Sequence, residues 1–334
     1  MILSADDTVI KFRKSKVKED SVAVADFIED KCKNIHYSRE DLLQLIKSGI
    51  RMAEPPLKFE VRGIDKASLI EWFNNRIVPN TVEITIDEYE LALINSLNLI
   101  FQGNLARTDF GSSRQRDFGQ FVTDYTRGYI GEIAAKNMFK HRFGQEVKLE
   151  QKDVGSAKAF VSKDITKINE DGKWREVKSK VSIKTSKLQA MWVDIPESQM
   201  RQSDILLFVK VGLTVNHFAS FLKSTGALSK IMEIGKSKSI LSESDVHDIM
   251  AKVPDLKAFP AYIPGFAYLK DFVDGTLIIK ETRTKKVTVG GIGKYNPETC
   301  GEVQDLGKIK EKFLSAISSL RWSTEDWGKL SHSL

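Results

Sequence analysis

The sequence predicts a mixed α/β fold with a mainly helical N-terminal region, and three observations predict it. Apolar residues recur at helical spacing in separate stretches before residue 105. An Asp-Gly pair, Asp171-Gly172, parts two strand-like segments, which is the mark of a tight hairpin. Farther on, DILLFVKVG (204–212) is a short apolar run of the kind buried at the centre of a sheet. The chain has 334 residues, 41% of them hydrophobic, and so can fill a core without metals or disulfides.

Element by element, the chain opens with a basic run in which Lys11, Arg13, Lys14, Lys16 and Lys18 crowd together. Such a run reads as a solvated face or arm unless phosphates approach it. Ser38 and Asp41 form an S-x-x-D cap before LLQLIKSGIRM, and Asp65 caps a helix through ASLIEWFNNRIV that Pro79 ends. A third helical stretch spans 86–101. The Gly, Asn and Ser-rich segment QGNLARTDFGSSRQR follows it and divides the chain into a helical region, 1–105, and a second region, 106–334.

The second region opens with a long helix from Arg114 to about Phe143. AFVSKDITKI is then a strand, NEDGK the turn, and WREVKSKVSIKTS the returning strand of the hairpin. AMWVDIP and DILLFVKVG add strands, and ASFLKSTGAL and ESDVHDIMAKV are helical. Phe259 to Phe266, with two prolines and several aromatics, reads as a rigid packed loop. TLIIKETRTKKVTVGGIG returns as strand, and DLGKIKEKFLSAISSLRW has helical periodicity. Trp174 and Trp192 are expected in the core.

Composition narrows the function. No apolar run reaches the ~18 residues of a membrane span, and MILSADDTVIKF lacks the basic-then-apolar order of a signal peptide. With only Cys32 and Cys300, far apart, there is neither a disulfide framework nor a cysteine zinc site, and a cytoplasmic location is expected. The five histidines are scattered without an HExxH pair, which leaves a histidine zinc site or a Ser-His-Asp triad without support. Gly290, Gly291 and Gly293 precede Lys294, but Thr288 and Tyr295 break the phosphate-loop spacing, so a tight turn is expected there. The net charge of +6 favours a polyanionic partner.

Carboxylates and lysines remain, and one region groups them. Asp164 lies on one hairpin strand, while Ser182 and Lys184 lie two residues apart on the next, hence on one face. Phosphodiester hydrolysis needs oxygen ligands for a divalent metal and a positive group near the attacking water. Glu132, within GYIGEIAAKNMF, and Glu197, thirteen residues after Lys184, are candidates for a second oxygen ligand, and hard donors without sulfur point to Mg²⁺. Residues 173–187 carry Lys173, Arg175, Lys178, Lys180, Lys184 and Lys187 against Glu176 alone, a charge suited to DNA phosphates.

Glu132 in its GxxGE helix, Asp164 with ITKI, and VSIKTSKLQAMWVDIP together resemble the active-site core of the PD-(D/E)xK nuclease superfamily, above all its type II restriction endonucleases. The resemblance covers Gly128 to Gly212. It implies a restriction-endonuclease-like mixed sheet flanked by helices, with Asp164 as metal-binding aspartate and Lys184 as the lysine of the xK element. It further implies Ser182 in the first place of that element, Glu197 supplying the displaced carboxylate, and Glu132 as the helical glutamate. Lys163 stands where the family often has proline. Glu176-Val177-Lys178 is itself a literal ExK, and strand alternation puts it on the same face as Ser182 and Lys184. Val181 and Ile183, which anchor VSIKTS in the core, favour Ser182 and Lys184.

The expected function is therefore a Mg²⁺-dependent, site-specific endonuclease of double-stranded DNA. It would act as a homodimer, with a paired DNA methyltransferase in the same genome. A non-cleaving basic DNA-binding protein, and a junction or repair nuclease of the same fold, share these residues.

Overall fold

The computed structural model of the chain describes residues 9–10, 17–32, 37–51, 57, 64–101, 118–150, 164–190, 192–196, 202–269, 271, 277–280, 288–290, 312–316 and 320–334. Along the chain run β1 (Val9–Ile10), α1 (Val17–Lys31), α2 (Arg39–Arg51), β2 (Ile64–Asp65), α3 (Lys66–Trp72), β3 (Thr81–Ile84), α4 (Ile86–Phe101) and α5 (Phe118–Phe143). Then come β4 (Val147–Leu149), β5 (Ile165–Glu170), β6 (Lys173–Glu176), β7 (Val181–Lys187), β8 (Trp192–Pro196), β9 (Ile205–Val211), α6 (His217–Ser224), α7 (Ala227–Ser237) and α8 (Glu243–Lys252). β10 (Phe259–Tyr268), β11 (Leu277–Lys280), β12 (Thr288–Gly290), β13 (Lys312–Ala316) and α9 (Thr324–Ser333) complete the order. The fold is mixed α/β, with nine α-helices among the described residues.

The helix starts follow from capping. Ser38 Oγ accepts from the Asp41 N–H at 3.2 Å, and Asp65 Oδ2 accepts from the Ser68 N–H at 2.8 Å, which satisfies first-turn donors of α2 and α3. Pro79 falls within the 3₁₀ turn, Val78–Asn80, that closes the α3 region. The expected divider at 102–116 and the basic residues Lys11, Arg13, Lys14 and Lys16 lie outside the described residues; Lys18 lies in α1.

The main sheet has the order β3-β10-β9-β7, with β7 parallel to β9 and the other pairs antiparallel. β9 is an inner strand and all seven of its residues are buried, as its apolar run predicts. Ile205, Leu207, Val209 and Val211 join one core with side chains of α4, α5 and α9, a core whose membership starts at Ile84. A second core gathers α1, α2 and α3 and takes in Leu188 and Tyr262. Lys210, buried on β9, donates to Ser48 Oγ of α2 at 2.8 Å. The antiparallel sheets are β4-β5-β6, β12-β11-β13-β8 and the short pair β1-β2.

Four expectations are corrected. WREVKSKVSIKTS is not one strand: β6 and β7 belong to different sheets. The hairpin ends where the Val177 N–H reaches Thr166 O, because the next donor, Lys178 N–H, leaves for Leu334 O. Glu176, Lys178, Ser182 and Lys184 therefore do not alternate along one strand face. Phe259–Phe266 is packed but is strand, part of β10 between β3 and β9. It tolerates its prolines because Pro260 O still accepts the Gly212 N–H at 2.9 Å and Pro264 falls in a register shift between Tyr262 and Gly265. Lys312–Ala316 is strand, because pairing with β8 and β11 overrides its helical periodicity. Trp174 is 39% exposed, with Lys148 Nζ 4.2 Å from its ring centre. The side chain of Trp192 lies outside the described residues. No helix among the described residues is long and apolar enough to cross a membrane.

Candidate active site

The site forms where α5 crosses β7. A Cβ added at Gly131 would lie 1.8 Å from Thr185 Cγ2, so the helix settles this close to the strand only with glycine there. Glu132 is the next residue, and its carboxyl is close enough to Lys184 of β7 for the two to act on each other electrostatically.

Asp164 stands at the entry to β5. Its N–H donates to Val181 O at 2.8 Å, which joins the start of the hairpin sheet to the start of β7. Its Oδ2 accepts from Ser182 Oγ at 3.2 Å and from the Ile183 N–H. The carboxylate is thus aimed by the strand that carries Lys184, which comes two residues after Ser182.

Glu132, Asp164 and Lys184, all partly buried, act on one another electrostatically. Burial pushes the Glu132 carboxyl up to about 8; the Asp164 charge adds to the rise and Lys184 opposes it. Burial also raises Asp164, against the lowering effect of Lys184 and of the hydrogen bonds from Ile183 and Ser182. Burial pulls Lys184 below the ordinary lysine value, against Asp164 and Glu132, which both favour its charge. Two carboxylates and one ammonium, drawn from a helix and two sheets, share a poorly hydrated spot.

Among the described residues, no group of three or more His, Cys, Asp or Glu side chains is placed to hold a metal ion. Glu132 and Asp164 are two such donors, and Glu197 lies outside the described residues. The pair fits a hard divalent cation: its donors are oxygen, burial raises the proton affinity of both, and the Asp164 charge raises that of Glu132 further, a cost that a cation offsets.

The literal ExK does not reach this spot. Glu176 is exposed and its Oε1 lies 3.6 Å from Lys167 Nζ on β5, and Lys178 is exposed beyond the end of β6. Of the proposed phosphate contacts, Lys173, Lys178, Lys180 and Lys187 are exposed. Arg175 is engaged in ion pairing with Glu170 and donates to Leu334 O at 2.8 Å.

Two supports went unread in the sequence. Asp204 Oδ2 accepts the Lys180 N–H at 2.8 Å and fixes the approach to β7; a lone aspartate before an apolar run carries no signal for such a contact. His217, scattered in sequence, is buried between Tyr89 and Thr123, whose hydroxyls meet its ring nitrogens at 2.8 and 3.1 Å. Burial, with the nearby Arg127 charge, depresses its pKa to about 4, so it is a neutral structural junction of α4, α5 and α6. Compared with protein-family models, with curated proteins and with solved structures, the chain matches none of them.

Proposed function

We propose that the chain is a Mg²⁺-dependent endonuclease that hydrolyses phosphodiester bonds of double-stranded DNA at a specific short site, a type II restriction enzyme with a PD-(D/E)xK core. One observation carries the reading: Glu132, Asp164 and Lys184, far apart in sequence, meet at one partly buried junction, with Asp164 held by Ser182 and the Ile183 N–H. Asp164, with Glu132 or Glu197 as a second oxygen ligand, would hold Mg²⁺. When bound, the ion supplies charge neutralisation at the scissile phosphate and a more acidic water. Lys184 orients the attacking water or stabilises charge developing on the phosphate oxygens. Ser182 keeps Asp164 in its orientation.

Two antiparallel strands cut at a palindrome are matched by a two-fold pair of active sites, so the working form is a homodimer in the cytoplasm, paired with a DNA methyltransferase. The test is incubation of the protein with plasmid DNAs of varied sequence in Mg²⁺. Discrete fragments are expected. Intact plasmids with every metal and sequence would overturn the proposal, and DNA binding retained without cutting would favour a non-cleaving DNA-binding protein.

A further inference from the structure

Because β6 and β7 lie in different sheets, strand pairing does not set the distance between the hairpin sheet and Lys184. The link 177–180 helps to set it: its ends are tied to the two sheets, Val177 N–H to Thr166 O and Lys180 to Asp204 and Ile205, while its middle is held from outside either sheet. Lys178 N–H donates to Leu334 O at 3.0 Å and Ser179 Oγ to Ser333 O at 3.2 Å, so the end of α9 holds the middle of the link. Arg175 ties β6 to the same point: Nε pairs with Glu170, while Nη1 donates to Leu334 O at 2.8 Å and to Glu176 O at 3.2 Å. The helix is a firm anchor, since Trp327, Leu330 and Leu334 are fully buried in the core that also contains Val177, Val181 and Ile183. One residue past the link, Val181 O receives the Asp164 N–H.

We propose that Arg175 is a positioning residue for the Asp164 and Lys184 pair, acting through α9 and the 177–180 link, and not a phosphate contact. Its fork spans three acceptors, one each on β5, β6 and the end of α9, which a lysine in its place does not reproduce. Only the catalytic readout rests on the nuclease reading; the mechanical coupling stands apart from it.

The experiment uses the full chain with Arg175→Ala, Arg175→Lys and Ser179→Ala. Amide hydrogen exchange is followed over 177–183, with β9 as internal control, beside kcat, KM and DNA affinity in Ca²⁺. Arg175→Ala is expected to speed exchange over 177–183 about tenfold or more while β9 keeps its protection. It is expected to lower kcat by about 10- to 100-fold with KM and DNA affinity within about twofold. Arg175→Lys should keep the affinity and recover little of kcat, and Ser179→Ala should show the same pattern more weakly. If Arg175→Ala does not fold, the other two variants carry the test. Weaker DNA binding with a salt slope lower by about one and an unchanged kcat would make Arg175 a phosphate contact and overturn the proposal. If the wild-type protein cuts no DNA, the nuclease reading falls alone. The exchange arm then decides, and unchanged exchange over 177–183 overturns the positioning role.

Discussion

Lys184 and Lys178 are six residues apart and both follow a candidate first residue of an xK element, yet only Lys184 exchanges charge effects with Asp164 and Glu132. Lys184→Ala is therefore expected to lower cleavage at least about 10³-fold with the fold retained, while Lys178→Ala changes it by less than about threefold. Asp164→Ala should be as inactive as Lys184→Ala, and Glu176→Ala active; steady-state cleavage of the four variants checks the pattern. Glu132 gives a second test, one of stability. Its folded pKa is raised from 4.5 to about 8, so the stability it contributes is fully present below about 4.5 and is lost as pH rises through about 8. Lys184, lowered from 10.5, has the opposite slope above its own folded pKa, which is why the comparison is with Glu132→Gln and not with pH alone. In chelator, wild-type stability relative to Glu132→Gln should fall between pH 5 and pH 9 in denaturant titrations, and a flat difference would mean that Glu132 is not desolvated. At this scale the sequence was informative where chemistry is local: Ser182 and Lys184 share a strand face by simple alternation. It was silent on Asp204 and Arg175, whose partners lie 24 and 159 residues away.

Elements were legible in proportion to how much of their cause is local. The α2 and α3 caps, the Asp171-Gly172 turn and the Ile86–Phe101 helix each follow from side chains within a few residues. β10 did not, because a proline-rich segment becomes strand only through neighbours on both sides, β3 and β9. β13 failed for the same reason in reverse, its helical periodicity yielding to two partner strands. α9 carries a local signal of its own, the Ser323 and Asp326 capping box. The contact between α5 and β7 makes a prediction of its own. Alanine at Gly131 favours the helix by about 1 kcal/mol, but its methyl would meet Thr185 Cγ2 at 1.8 Å and Cβ at 3.2 Å. Threonine is stiff at χ1, so the clash outweighs the propensity. Gly131→Ala should destabilise by about 1–3 kcal/mol, and adding Thr185→Ser, which removes Cγ2, should recover part of the loss in thermal unfolding. Gly265 is held more tightly: its φ is +147°, and a Cβ there would lie 2.3 Å from Arg321 O. Gly265→Ala should cost more than Gly131→Ala, because a backbone atom cannot rotate away.

At the scale of the molecule, the main sheet has one core built with α4, α5 and α9 and meets a second, built by α1 to α3, through Leu188 and Tyr262. The site lies at the sheet edge, on β7, where a helix from one layer and a hairpin from another sheet converge. Such a junction holds two desolvated carboxylates at a cost, and the metal proposal gives that cost a purpose: a cation that binds the folded chain and not the unfolded one adds stability by mass action. With Mg²⁺ at a hundredfold excess over its dissociation constant the gain is about 2.7 kcal/mol, read as a rise of a few degrees in the unfolding midpoint at pH 8. Proton release from Glu132 accompanies the binding, so the rise should shrink toward pH 6, well below the value of about 8 at which this carboxyl titrates. Asp164→Ala should lose the rise altogether. Cleavage should follow the same ions with one exception: Mg²⁺ and Mn²⁺ support it, chelator abolishes it, and Ca²⁺ raises the midpoint and permits DNA binding without cutting. Thermal unfolding and plasmid cleavage in the three metals and in chelator check both arms. An unshifted midpoint in Mg²⁺, together with cutting that persists in excess chelator, would remove the metal from the mechanism and leave Glu132, Asp164 and Lys184 as an acid–base cluster in need of another reaction.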